Sequence, residues 1–182
     1  RMTVEKIYAD GKLCDGCDLE LANDAQRLLL KTALLASDAT HDAETGTSIG
    51  DPTEVALVLL GENFGVEESA YRSQHQRLGE LAFDSDRKLM STVHQLSGGL
   101  MMVTKGAVDV MLDRCIISPQ ERADVERANE QFSNEGLRVL AFGCRTVEST
   151  AVSLEDENGL TFLGLIAMMD PPREESKAAV AE

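Results

Sequence analysis

Apolar positions along the chain follow two periodicities, which divide it into strands and helices. Alternating or continuous apolar runs predict strands over 2–9, 78–83, 88–96, 100–104, 137–147 and 160–168. Helical spacing predicts helices over 19–37, 52–60, 67–76, 108–114, 119–134 and 174–181. Because short strands return through turns such as Ser97-Gly98-Gly99, we predict an α/β (α+β) fold. It would have a twisted, mostly antiparallel sheet of about six or seven strands flanked by helices.

Polar stretches between these elements are predicted to be turns and loops. Segment 38–49, rich in Thr, Ser, Asp and Gly, is predicted to be a loop in which His41 is exposed and has no partner. Residues 14–17 are also predicted to form an exposed loop. We expect His75 to be solvated and His94, in mid-strand, to be a hydrogen-bonded sheet residue.

The helix that begins near residue 52 carries a strong start signal. Asp51 is a favourable N-cap, Pro52 occupies the first helical position, and Glu54 the third, as in a capping box. On these residues alone, the interpretation of Glu54 is that it caps the helix.

Composition limits the core and the partners. The 182 residues suit one domain, and with no Trp, five Phe and two Tyr the core must be aliphatic. A net charge of −15 argues against nucleic acid and anionic membrane surfaces as partners. No apolar run reaches the roughly 18 residues that a membrane span needs. We expect no secretory signal, because the chain begins in strand-like sequence, and an Arg before Met2 is what we expect of an excised fragment.

Four cysteines are too few and too unevenly spaced for a disulfide scaffold, which favours a reducing, cytosolic setting. Cys14 and Cys17 form a CxxC, which is half of a zinc site or a redox pair in some proteins. Cys115 and Cys144 are isolated, and there is no second CxxC. A reduced pair in a loop is the simpler interpretation, and a metal or redox module stays an alternative.

The charged corner after the strand 78–83 is the main candidate for chemistry. It places the aromatic ring of Phe83 close in sequence to two cations, Arg87 and Lys88. An aromatic face beside positive charge suits an adenine nucleotide, with the base on the ring and the phosphates near the cations. The alternative is that Phe83 belongs to the core and the charges to a solvated turn. Neither a GxxxxGK[ST] phosphate loop nor a GxGxxG is present.

Further segments complete a pattern with this corner. In chain order they are GDPTEVAL (50–57), FDSDRK (83–88), VTKGA (103–107), LRVLA (137–141) and MDPPR (169–173). Together they resemble the nucleotide-binding (N) domain of P-type cation-transporting ATPases of the calcium-pump type (type II). The resemblance covers essentially the whole chain.

The resemblance implies a nucleotide site of nine residues. Phe83 would stack on adenine, Thr53 and Glu54 would select it, Met90 and Leu140 would pack against it, Lys105 and Gly106 would form the floor, and Lys88 and Arg138 would meet the phosphates. Glu54 could both cap its helix and accept from the exocyclic amine of the base. An Arg in the apolar run 137–147 would be costly unless its charge were used.

The same resemblance implies a domain organisation. Residues 1–169 would be the nucleotide-binding domain, and 170–182 the hinge and start of the phosphorylation domain, with both ends close together. The motifs DKTGT, TGD and GDGxND are absent, so this chain would bind ATP or ADP but catalyse nothing by itself. In the intact pump of a plasma or internal membrane, this cytoplasmic domain would present ATP with Mg²⁺ to an aspartate. Its partners there would be the phosphorylation and actuator domains.

One departure from the family pattern concerns the phosphates. Ser85 stands where close animal relatives of the calcium-pump type have an additional Arg. This removes one phosphate contact and leaves Lys88, Arg138 and Arg87 as candidate cations. A further alternative is an interaction module whose acidic surface binds a basic partner and whose pocket is vestigial.

Overall fold

The computed structural model describes residues 2–170 as strands and helices that alternate along the chain. The elements are β1 (Thr3–Ala9), β2 (Lys12–Asp15), α1 (Asp24–Leu35), β3 (Thr40–Asp42), β4 (Thr47–Ile49), α2 (Pro52–Asn63), α3 (Glu68–Gln74), β5 (Gly79–Asp84), β6 (Leu89–Leu96), β7 (Gly99–Gly106), α4 (Val108–Arg114), α5 (Pro119–Asn134), β8 (Arg138–Thr146) and β9 (Thr161–Met169). The predicted helix over 174–181 and most of the predicted hinge lie outside the described residues.

Seven of these strands form one sheet in the order β2-β1-β9-β8-β7-β6-β5, and every neighbouring pair is antiparallel. The predicted fold class is therefore confirmed. In the register of β1 and β9, Thr3 is paired with Met169, so the first and last described strands meet at their outer ends. Strands β3 and β4 form a separate small hairpin.

Alternation along the central strands separates two apolar faces of the sheet. On one face, Leu89 of β6 and Met102 of β7 pack with residues of α4 and α5. On the other, Met90 and Val103, one residue further along, pack with the end of α1. The sheet is thus the middle of three layers, and the helices α1 and α2 share a core with its second face.

Two predictions about the stretch up to α1 were wrong in detail. Lys12–Asp15, partly assigned to a loop, pairs with β1 as an edge strand, and a short 3₁₀ turn follows over Gly16–Asp18. Helix α1 begins at Asp24, because the Asn23 side chain caps it by accepting from the Gln26 amide at 3.0 Å.

The segment 38–49 contains the β3–β4 hairpin, and His41 is not exposed. Its ring nitrogen Nδ1 lies 2.6 Å from Ser48 Oγ, its Nε2 lies 3.6 Å from a Glu62 carboxylate oxygen, and its side chain is only 9% exposed. Two three-residue strands of mixed polarity are too short to produce a periodic signal, which explains why the pattern predicted a loop.

The prediction for His94 is confirmed. This residue is 2% exposed, and its Nδ1 lies 2.8 Å from the carbonyl oxygen of His75, while its Nε2 lies 2.8 Å from Thr92 Oγ1. Burial is the largest cause and lowers the pKa of His94 below its ordinary value of 6.5, while the hydrogen bonds to the backbone carbonyls of His75 and Gln76 oppose it. His94 is therefore held as a neutral imidazole. His75, expected in solvent, is half-buried, and its ring centroid lies 4.7 Å from that of Tyr71.

His94 should make the protein less stable as the pH falls. Because its folded-state pKa lies below 6.5, the unfolded chain takes up a proton that the folded chain does not, and stability falls as pH drops below 6.5. A difference of one bound proton corresponds to about 1.4 kcal/mol per pH unit. Urea unfolding between pH 7 and pH 5 should therefore show a shallower pH dependence in His94→Asn than in the parent chain. Equal slopes would contradict this account.

Candidate functional site

A cavity of about 360 Å³ opens on the second face of the sheet, beside the first turn of α2. Its volume is within the range of about 300–1,000 Å³ that is typical of small-molecule sites. The lining residues are Asp51, Thr53, Glu54, Phe83, Met90, Lys105, Gly106, Arg138 and Leu140. Eight of the nine residues predicted for the nucleotide site thus come together here. Lys88 is not in the lining, and Asp51 is an addition.

Strand register explains how distant residues share the cavity wall. Met90 of β6 is directly opposite Lys105 of β7, and Gly106 is opposite Ala141 of β8. Leu140 lies one residue before Ala141 on β8, and its half-buried side chain packs with the second-face core. The floor is therefore apolar apart from one buried ammonium.

The ammonium of Lys105 is paired with the carboxylate of Glu54. Lys105 Nζ donates to Glu54 Oε2 at 2.6 Å, and the two side chains are 8% and 15% exposed. The other oxygen, Glu54 Oε1, accepts from the backbone amides of Asp38 and Ala39 at 2.9 and 3.2 Å. Burial is the main cause that lowers the pKa of Lys105, and Glu54 opposes it by favouring the charged form.

Glu54 does not complete the expected capping box. Asp51 is the N-cap as predicted, because its carboxylate accepts from the Thr53 amide at 2.8 Å. The hydroxyl of Thr53 also donates to Asp51, and this bond is the largest cause that lowers the pKa of the Asp51 carboxyl. Glu54 instead turns toward β7, and its Oε2 keeps one acceptor position beside the cavity.

Phe83 lies at the rim of the cavity and is 62% exposed. The alternative in which this ring belongs to the core is therefore excluded. A second concavity of about 590 Å³ also has Phe83 in its lining, together with Ser85, Arg87 and Leu154. An aromatic ring of this exposure stabilises little by burial, so it is available to a ligand.

The three candidate cations differ in their surroundings. Arg138 is at the cavity rim with its side chain 56% exposed, 3.7 Å from an Asp170 oxygen, so the burial cost expected for it does not arise. Lys88 is exposed and has a φ of +62°. Contrary to the expectation, Arg87 does not face the cavity. Its guanidinium is 12% exposed and is bonded to the buried Glu157 at 2.6 Å.

The position of Gly106 has no room for a side chain. A Cβ at this position would lie 2.2 Å from the carbonyl oxygen of Lys88 and 2.6 Å from Leu89 Cδ2. Gly106, which also lines the cavity, therefore allows the close approach of the neighbouring strand β6.

The CxxC does not form a buried metal or redox centre. All four cysteines are free thiols, with Cys14 half-buried in β2 and Cys17 exposed. Burial raises the pKa of Cys14, which disfavours a reactive thiolate. Among residues 2–170, Cys17 but not Cys14 lies with exposed carboxylates, those of Asp15 and Asp18, so the module centred on the two cysteines is not supported.

Two contributors to the site escaped the sequence analysis. Asp51 was assigned only as a cap, although its position beside Thr53 and Glu54 could have suggested a place in the lining. The hydroxyl of Ser37 lies 3.4 Å from Lys105 Nζ. No sequence pattern indicated this contact, because the two residues are 68 positions apart in the chain.

Comparison with known proteins identifies the family. The family model for the P-type ATPase cytoplasmic domain N matches residues 25–175. The chain belongs to this family. It is 38% identical, over its full length, to calcium-transporting ATPase 1 of Bacillus cereus, and 40% identical, over 88% of its length, to a calcium-transporting ATPase of Listeria monocytogenes. It is also 37% identical, over 99% of its length, to a cation-transporting ATPase of Synechocystis.

The N domain is a small part of these relatives. The chain spans 22%, 19% and 24% of the three proteins, about a fifth of their length. Within residues 2–170, no helix has the length and hydropathy needed to cross a bilayer.

Breaking the pair beneath the N-domain cavity should strongly destabilise the fold. Glu54→Gln keeps an acceptor for the Asp38 and Ala39 amides but leaves the Lys105 ammonium buried without its carboxylate. Loss of one partner of a buried pair costs about 3–5 kcal/mol. Chemical unfolding of Glu54→Gln should show a loss of this order. Adding Lys105→Met should recover much of it, and a double variant as unstable as the single one would argue against the pair.

Gly106→Ala should also be destabilising, because its new methyl group would meet backbone rather than a flexible side chain. Overpacking of this kind costs about 1–3 kcal/mol. Gly98→Ala is the matched control, since a Cβ there has nothing within 4 Å. We expect the thermal midpoint to be lowered in Gly106→Ala and unchanged in Gly98→Ala. Equal midpoints would show that β6 can move away from β7 to accept the methyl group.

Proposed function

We propose that this N domain binds an adenine nucleotide, ATP or ADP, in the cavity beside Phe83. The observation that carries the proposal is the exposed Phe83 ring at the rim of a largely apolar cavity. Phe132 and Phe142 are fully buried in the core, whereas the Phe83 ring is left 62% exposed at the cavity rim, where it is suited to stacking on a base.

The electrostatics of the cavity support an orientation for the nucleotide. The Lys105 charge is neutralised by Glu54 within the floor, so the inner cavity favours the uncharged base. Arg138 at the rim and Lys88 in the adjacent corner carry the positive charge, which favours phosphates toward the outside. The free acceptor position of Glu54 could take a hydrogen bond from the exocyclic amine, which would select adenine over guanine.

The intact protein is proposed to be a calcium-type cation pump that uses this domain to present ATP. Residues 1–169 would form the nucleotide-binding domain and 170–182 the connection to a phosphorylation domain. The pairing of Thr3 with Met169 supports this, since it brings the two connections together at one place on the sheet. The phosphorylation and actuator domains would be its partners, and Mg²⁺ would accompany the nucleotide phosphates.

The domain by itself is proposed to bind nucleotide without hydrolysing it. An attack on the γ-phosphate needs a nucleophile and a group that positions it. In the part of the chain that the structure describes, the carboxylates of the cavity lining are those of Asp51 and Glu54, and both are held by hydrogen bonds to neighbouring groups. The aspartate that accepts the phosphate is therefore proposed to come from another domain of the pump.

Replacing Phe83 should weaken ATP binding without weakening the fold. A stacking contact is worth about 1–3 kcal/mol, so calorimetry should show that Phe83→Ala binds ATP about 5-fold to 150-fold more weakly. Since the ring is 62% exposed, the thermal midpoint should stay within about a degree of the parent value. Ile116→Ala, which removes another exposed apolar side chain, is the control and should bind normally. Unchanged affinity in Phe83→Ala would place the nucleotide elsewhere.

A further inference from the structure

The buried carboxylate of Glu157 lies on the opposite face of the sheet from the cavity. Glu157 is 1% exposed and follows the short 3₁₀ turn Leu154–Asp156. Its Oε2 accepts from Ser91 Oγ at 2.5 Å, and Ser91 Oγ lies 2.8 Å from Thr104 Oγ1. No residue of the cavity lining is among these contacts.

Ser91 and Thr104 connect this carboxylate to the two strands that form the cavity floor. They are directly opposite each other in β6 and β7, and the next pair along the same strands is Met90 with Lys105. Because neighbouring residues of a strand face opposite sides, the bonds behind the sheet fix the backbone that carries the floor in front.

Arg87 connects the same carboxylate to the Phe83 corner. Its Nε donates to Glu157 Oε1 at 2.6 Å, and its Nη2 reaches Glu157 Oε2 at 3.4 Å. The same Nη2 donates to the carbonyl oxygen of Ala82 at 3.1 Å. Ala82 precedes Phe83, so the guanidinium ties the turn after the ring to the strand before it.

The Phe83 ring needs such support because packing does not hold it. A side chain 62% exposed has few neighbours that restrict it, so its position depends on the backbone of the corner. The register of β5 and β6 shifts between Leu81 and Asp84, and the regular ladder is therefore interrupted at this point. The Arg87 bonds replace part of the missing ladder.

We propose that Glu157 is a positioning residue for nucleotide binding, which holds Phe83 at the cavity rim through Arg87 and the cavity floor through Ser91. This inference rests on the proposed function of the cavity. It adds a residue that touches no nucleotide yet determines how well the base is stacked. The prediction concerns affinity for the base and leaves the phosphate contacts unaffected.

The test compares ATP and inorganic tripolyphosphate binding to the 182-residue chain by calorimetry. Glu157→Gln should weaken ATP binding about threefold to tenfold, part of the loss that a missing stack would cause, and leave tripolyphosphate binding unchanged. Glu155→Gln is the matched control, because this carboxylate is exposed and lies two residues away. It should bind both ligands as the parent does.

A double-variant cycle separates positioning from general destabilisation. If Glu157 acts through the ring, Glu157→Gln should cause little further loss of ATP affinity in a Phe83→Ala background, although its effect on the thermal midpoint should persist there. A full additional loss of affinity in that background would overturn the proposal. So would normal ATP binding by a folded Glu157→Gln chain.

Arg87→Lys provides a second variant if Glu157→Gln does not fold. It keeps the positive charge, but a single ammonium cannot reproduce the forked bonds to Glu157 and Ala82. The same selective loss of ATP affinity is expected, and its absence would overturn the proposal. A parent chain that binds no ATP would overturn the proposed function itself. If ATP affinity is weakened in Phe83→Ala but normal in Glu157→Gln and Arg87→Lys, only the positioning role is overturned.

Discussion

The ion pair between Lys105 and Glu54 is the constraint on which the geometry of the site depends. Two charges removed from water are tolerated only when they are paired and otherwise hydrogen-bonded. Here the carboxylate meets that condition with one ammonium and two backbone amides, so it must lie where β7, α2 and the segment after α1 converge. The pair therefore sets the position of the first turn of α2 over the sheet, and that turn is one wall of the cavity.

Because of this pairing, the net positive charge lies outside the cavity floor and not within it. The floor is neutral overall, while Arg138 and Lys88 lie outward of it and are exposed. A protein with a net charge of −15 can thus offer a local positive region to an anion without a generally basic surface. The acidic residues elsewhere repel anions from the rest of the surface.

The sequence predicted the fold class from local patterns, and it predicted the shared cavity from the resemblance to a known family. Alternation in 88–96 and 137–147 assigned Met90 and Leu140 to strands, and the resemblance gathered them with Phe83. The ion-pair partners of Glu54 and Arg87 were not predictable in this way. Their partners lie 51 and 70 residues away in the sequence, and burial, rather than residue type, decides which charge must be neutralised. The short β3–β4 hairpin gave no periodicity at all.

Arg87 and Lys88 are adjacent in the sequence and carry the same charge, but the structure places them in different surroundings. In the sequence both belong to one basic corner. The positive φ of Lys88 turns the chain at the start of β6, and its side chain remains in solvent, whereas the guanidinium of Arg87 lies behind the corner on Glu157. Arginine suits the buried position because its planar fork can bond a carboxylate and a carbonyl together. The corner is thus anchored from behind and open in front, an arrangement that leaves an aromatic ring exposed yet fixed.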